Sequence, residues 1–207
     1  MVTHGSPAKA SVAKKTGQLD GRRKRSLSSR KKIVAAMMKL VAAGDVSPSA
    51  ARVAEAASVG ERTVFRHFDD LDLLFQEMAE EIEVKVMPAL LKPYESSNWR
   101  DQLLELSERR ASLYEAIMPY RISADAKRFR SPFLMQDYRR FQRVERDSVE
   151  AILPPNVQAD MARARGIMVA LSFYSWRLLR QDEDLGIRDT KAVIQQMVSD
   201  IMAQIRT

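Results

Sequence analysis

Arg62, Thr63, Arg66 and His67 fall close together in the stretch "SVGERTVFRHFDDLDLLF", residues 58–75, interleaved with Val64, Phe65 and Phe68. Two polar chemistries can use such a set. His67 can act as a general base, and paired arginines can meet phosphates or the O6/N7 edge of guanine in a major groove. The base reading lacks partners, because no Ser, Cys or carboxylate stands at a nucleophile–base spacing around His67. The only other histidine is His4. No GxSxG, HExxH, P-loop or glycine-rich nucleotide turn occurs either. Glu77, Glu80, Glu81 and Glu83 have no ExxH pairing and read as a solvated helix face. Catalytic residues, metal sites and cofactors are therefore not expected, and an all-α enzyme is the weakest of the functional alternatives.

The elements around these residues read as helices. Ile33, Met37, Leu40 and Val41 recur at helical spacing, and Gly44 is placed to end that helix. "VSPSAARVAEAA" restarts with Ser47 as the N-cap and Pro48 at the first helical position. Ser58-Val59-Gly60 then breaks the chain before the short segment that carries the arginines. A helix, a three-residue break and a second short helix within residues 47–68 have the size of a helix-turn-helix. At about 100° per residue, Val64 and Phe68 share one side of the second helix. Arg62 and Arg66 lie opposite them with Thr63 alongside. The apolar residues hold the helix while the polar ones face outward.

Asp69 and Asp70 precede the next helix as caps, and Leu71, Leu74, Phe75, Met78 and Ile82 form its apolar stripe. Pro88 is expected to end or kink it. Further helices are expected near 98–118, 132–153, 157–181 and 189–206, separated by "SSNW", "SPF", "LPPN" and "DLGIRD". No alternating strand pattern appears, so the fold class is all-α. The expected organisation is a basic, disordered tail over 1–26, a three-helix helix-turn-helix domain over 27–76, and a helical domain over 77–207.

Composition narrows the partners. The chain has 207 residues, no cysteine and a net charge of +7. Disulfides, thiolate catalysis and Cys-ligated zinc are thereby excluded. Residues 1–32 hold ten basic side chains against the single acid Asp20, so the rest of the chain is slightly acidic. Such asymmetry points to a polyanion, with the tail acting either as a nonspecific DNA arm or as a solubilising segment. The longest clearly apolar run, Ile33 to Met38, is far too short for a membrane span, and no signal peptide is read at the N-terminus. The expected compartment is a reducing cytoplasm.

Residues 30–75 resemble the DNA-binding domain of the TetR family of transcriptional regulators. The family's pattern runs roughly "IA..AGVS..TLY.HF..K..L" after a first helix with paired alanines. Ala35, Ala36 and Leu40 match that helix, and Val53-Ala54 stand for Ile-Ala. Ala57, Val59, Thr63, Val64, Phe65, His67 and Phe68 match the turn and recognition helix, and Leu74 the anchor after it. The match departs in three places. Ser58 replaces the turn glycine, Phe65 replaces a Tyr whose hydroxyl meets a phosphate, and Leu71 replaces a backbone-contacting Lys. Lys31, Lys32 and the tail are the candidates to compensate.

The resemblance implies a ligand-responsive regulator, most often a homodimeric repressor released from a palindromic operator by a small effector. The alternative within DNA binding is a protein with no small-molecule ligand. DNA contacts are expected from Lys31, Lys32, Ser47, Ser49, Arg52, Glu61, Arg62, Thr63, Phe65, Arg66 and His67, with His67 as a phosphate donor. Most aromatics of the second domain are expected to be core, and the minority that the resemblance places around an effector pocket is sought among Trp99, Tyr114, Met118, Tyr138, Phe141, Phe173 and Trp176. Their chemistry suits an apolar or aromatic effector, with Arg121, Arg128, Arg130 or Arg177 able to seat an anionic group on it. Ala162, Gly166 and Ala170 form a small-residue stripe that suits either intrachain packing or a partner helix. With Ile194, Met197 and Ile201 they make the expected dimer interface.

Overall fold

The computed structural model describes residues 26–68 and 71–205, every regular element among them helical and none long and apolar enough to cross a membrane. It divides into two compact units, Met1–Met78 and Ala79–Thr207. Apart from Ser26, the basic tail lies outside the described residues, as do the expected caps Asp69 and Asp70 and the side chain of Leu71.

In the first unit, α1 (residues 26–42) buries Ile33, Val34, Ala36, Met37 and Val41. It ends as expected at Gly44, whose φ of 95° is open to a residue without Cβ. Gly44 N–H donates to Val41 O at 3.0 Å and Asp45 N–H to Leu40 O at 3.1 Å, which closes a Schellman turn over the last carbonyls.

The second helix, α2 (Ala50–Ala56), starts later than its sequence suggests. Asp45 Oδ1 accepts the Ser47 amide at 3.2 Å, so Ser47 is held in a local turn. Ser49 is the N-cap instead, its Oγ accepting the Arg52 amide at 3.3 Å.

Helix α2 ends in a second Schellman turn. Ser58 N–H donates to Glu55 O and Val59 N–H to Ala54 O, both at 3.0 Å. Ser58 therefore sits where the chain turns left-handed, with φ of 54°. A side chain there costs about 1–2 kcal/mol relative to a right-handed position, part of which glycine would recover. Ser58→Gly is expected to stabilise the first unit by about 0.5–1 kcal/mol, read as a higher melting temperature. An unchanged or lower melting temperature would show that the serine side chain itself supports the turn.

The short helix α3 (Glu61–His67) buries Val64, and Phe68 after it is 1% exposed. Leu74, Phe75 and Met78 on α4 (Leu71–Leu90) are also buried. Pro88 neither ends nor precedes the end of that helix by a full turn; Leu90 still belongs to it.

The second unit contains α5 (Trp99–Lys127), a short 3₁₀ turn, α6 (Pro132–Glu150), α7 (Pro155–Ala159), α8 (Met161–Ala170), α9 (Phe173–Arg177) and α10 (Ile187–Ala203). Helix α5 runs well past 118, with Pro119 inside it. The single helix expected over 157–181 is instead broken twice. Asp160 caps α8 by accepting the Arg163 amide at 3.1 Å, and Ser172 caps α9 by accepting the Ser175 amide at 3.2 Å. Both side chains offer the backbone a local alternative to a continuous helix.

The second break lies in the core and leaves backbone groups that need partners. Arg110, 4% exposed, donates to Leu171 O at 2.8 Å, to Glu145 O at 2.5 Å and to Ser148 Oγ at 2.8 Å. Glu145 Oε1 accepts the Phe173 amide at 2.8 Å and is also bonded to the Tyr114 hydroxyl. That hydroxyl is placed 2.9 Å from Leu171 O as well. Polar side chains from α5 and α6 thus complete the backbone between α8 and α9.

Candidate nucleic-acid interface

On α3, Arg62 and Arg66 are exposed, Thr63 is half-buried beside them, and Val64 is 1% exposed on the opposite side. Neither arginine is drawn into an ion pair or hydrogen bond with another of the described residues. Gly60 caps the helix without a side-chain bond, and Glu61 in the first turn complements the helix dipole. Glu61 is itself an acid and would repel phosphate. Any contact it makes must be to a base donor such as cytosine N4.

The C-terminal end of α3 is fixed by a residue whose importance spacing did not reveal. Arg30 on α1 donates through Nη1 to the carbonyl of His67 at 2.6 Å. It also pairs with Glu77 of α4, and its guanidinium lies 4.5 Å from the Phe68 ring centroid. One side chain thus satisfies an orphan carbonyl of α3 and ties it to two neighbouring helices. Its partners are 37 and 47 residues away, beyond the reach of any local pattern.

His67 does not present itself as expected. Its Nε2 is enclosed with no hydrogen-bond partner, so a phosphate cannot reach that nitrogen in this arrangement. Burial, together with the Arg66 and Arg30 charges, holds the imidazole below its ordinary value, which favours the neutral form at neutral pH.

The other expected contacts divide. Lys31 and Lys32 are exposed on α1. Arg52 is exposed but paired with Asp45 at 2.8 Å, and the Ser49 hydroxyl oxygen is committed to its capping bond. Ser47 is exposed at the turn before α2, and Phe65 is 49% exposed on α3.

In the second unit the aromatic residues expected to line an effector pocket fill one another's space instead. Tyr114, Phe173 and Trp176 are buried, with Tyr114 and Phe173 edge to face at 5.5 Å and Phe141 against Phe173 at 6.2 Å. Trp99 and Met118 pack at the margin of the same core, and Tyr138 meets Tyr174 at 6.4 Å. Edge-to-face packing of large rings stabilises a core, and none of these seven residues is on the wall of the open cleft nearby. That cleft, of about 690 Å³, lies between α6, α8 and α9 and is open to solvent. Gln142, Glu145, Met168, Ser172, Tyr174 and Arg177 contribute to its walls.

Of the arginines expected to seat an anionic group, only Arg177 lines this cleft. Arg121 is paired with Asp137 and Arg128 with Asp125, both at 2.9 Å. No group of His, Asp and Glu among the described residues is arranged to hold a metal ion.

The small-residue stripe also needs correction. A Cβ on Gly166 would lie 3.2 Å from Cδ1 of Ile201 in the same chain, so this glycine permits α8 to approach α10. Ala170 is 0% and Ile194 4% exposed within the chain's own core, leaving no surface for a partner. Only Ala162 and Met197 of the six expected interface residues are exposed, while Ile201 packs against the core.

No family model matches the chain, and no curated protein does. Among solved structures, the fold is similar to that of a transcriptional regulator from Rhodococcus sp. Rha1, with a TM-score of 0.67 and 16% identity. The similarity covers 84% of this chain and 96% of that one.

Proposed function

We propose that the chain is a sequence-specific DNA-binding transcriptional regulator of the TetR type, a homodimeric repressor released from a palindromic operator by a small effector. The observation that carries this reading is the outward face of α3. Two exposed arginines stand there beside a threonine, on a short helix whose opposite side is locked into a core. Arginines so placed suit bidentate contact with guanine in a major groove, and the exposed Lys31 and Lys32 suit phosphates. The fold shared with a transcriptional regulator supports the same assignment.

The deciding experiment is selection of bound duplexes from a random pool. A short enriched palindrome is the expected result, and a pool that remains random would remove the proposal. The tail is assigned a nonspecific role. Deleting residues 1–26 should lower binding to random duplex more than it lowers the specific-to-nonspecific ratio. An unchanged salt slope after the deletion would show that the tail does not touch DNA.

A single small recognition helix reads too few bases to find a genomic site, and symmetric pairs reading two half-sites are the usual solution. The outward residues of α8 and α10 suit the dimer contact. Met161, Val169 and Met197 are 74%, 61% and 40% exposed, and the first two lie on one face of α8. Val169→Asp is expected to convert a dimer into monomers in sedimentation, by forcing a charge into that apolar contact. A monomeric native chain would contradict this outright.

The effector is assigned to the second unit, and helix α4 is the natural lever between that unit and the recognition helix. A compound that weakens operator binding 5- to 150-fold carries about 1–3 kcal/mol of coupling. By reciprocity its own affinity must fall by the same factor when operator is bound. Calorimetric titration of the free chain and of the operator complex measures both. Equal affinities would leave a regulator without a small-molecule ligand.

A further inference from the structure

Resting on the DNA-binding reading above, we propose that Phe65 is a specificity residue that recognises the C5-methyl group of a thymine in each half-site. Phe65 is 49% exposed on a helix of only seven residues. It lies about 60° round the helix from Phe68 and about 100° from Val64, each 1% exposed, yet keeps half of its own surface open. At about 100° per residue it lies about 60° round the helix from Arg62, at the edge of the face that carries Arg62 and Arg66. The exposed surface of α3 therefore combines two cations with one large apolar ring at its edge.

The available chemistry of a major groove leaves that ring few partners. It has no hydroxyl and cannot donate to a phosphate. Its π face is electron-rich, so an anionic oxygen against it is unfavourable. Guanine offers O6 and N7, adenine N7 and N6, and cytosine N4, all of which need a polar partner. Thymine alone presents an apolar group, its methyl, at the groove edge. A guanidinium on one flank and a phenyl ring on the other would then read a guanine and a thymine at neighbouring positions of one half-site.

The test uses the full chain and the palindrome recovered by selection. Each thymine is replaced in turn by deoxyuridine, which removes the methyl and leaves the pairing edge and O4 unchanged. One symmetry-related thymine pair should prove sensitive, with affinity falling about fourfold per half-site and about fifteenfold when both methyls are removed. Phe65→Ala should bind thymine and deoxyuridine sites equally, and Phe65→Leu should keep part of the preference. Unchanged far-ultraviolet dichroism would confirm that Phe65→Ala is folded.

Placing 5-methylcytosine paired with guanine at the sensitive position should be better tolerated than unmethylated cytosine, because it restores the methyl alone. If no thymine is sensitive, or if Phe65→Ala retains the full sensitivity, the proposal is overturned while the enriched palindrome preserves the regulator reading. If no sequence is enriched, the DNA-binding reading falls and this inference falls with it.

Discussion

Arg66→Ala is expected to lower affinity for the selected palindrome about 5- to 150-fold per half-site, as is Arg62→Ala, with preference relaxed at one base position in each half-site. The magnitude follows from the loss of a bidentate contact, worth about 1–3 kcal/mol. The arginines are suited to it because each is exposed while the helix beneath them is anchored by Val64 and by the Arg30 contacts to His67 O and Glu77. Little ordering of the helix remains to be done on binding. Lys31→Ala is the comparison. It should weaken all sequences alike and reduce the salt slope by about one unit, because a phosphate contact carries no base information. Binding titrations of the three variants at several salt concentrations separate the two behaviours. Unchanged affinity in both arginine variants would show that α3 does not enter the groove through this face.

The second large effect is on stability. Arg110→Ala is expected to destabilise the second unit by about 3–5 kcal/mol in chemical denaturation, the range for removing one member of a buried charged network. The arginine is 4% and Glu145 9% exposed, so little water can replace a lost partner, its nearby source among the described residues being the open cleft beside Glu145. Removing the guanidinium takes a charged donor from the carbonyls of Leu171 and Glu145, which keep only the Tyr114 and Ser148 hydroxyls as side-chain donors. It also removes one of the two arginine charges that act on the Glu145 carboxyl. Replacing both residues together, as Arg110→Met with Glu145→Gln, should cost clearly less than Arg110→Ala, since no charge is then stranded. A cost below about 1 kcal/mol for Arg110→Ala would mean that the α8–α9 break is held by apolar packing alone.

The same site carries a pH dependence of definite sign. Burial holds the Glu145 carboxyl above its ordinary value of 4.5, against the opposing bonds from Tyr114 and the Arg110 charge. The folded chain therefore binds this proton more tightly than the unfolded chain. Its contribution to stability is complete below about pH 4.5 and is lost as the pH rises through the folded value. Glu145→Gln should remove that dependence while the rest of the acid titration remains. An identical profile in the variant would place the dependence on other groups.

The helix-turn-helix was legible from sequence because its determinants are local. The spacing of Val53, Ala54, Val64 and Phe68 reports which side is buried, and the outward arginines follow by default. Gly44 is legible for the same reason, since a left-handed residue is a property of the backbone at one position. The Ser58 turn was legible only as a question, and its φ of 54° answers it.

What local pattern could not supply was everything decided between distant segments. Arg30 looked like one more cation of a basic stretch until its bonds to His67 O and Glu77 placed it behind α3. The aromatics of 99–176 were recognisable as apolar, but periodicity does not distinguish a ring that lines a pocket from one that fills a core. Only the structure shows Tyr114 and Phe141 packed edge to face on Phe173. The run over 157–181 had helical composition throughout, yet a buried break at Leu171–Phe173 is stable because Arg110, Tyr114 and Glu145 converge on it from two other helices. Residue types and their period determine secondary structure and its buried face. Which polar groups meet across tens of residues is set by the packing of helices, and only the tertiary structure decides it.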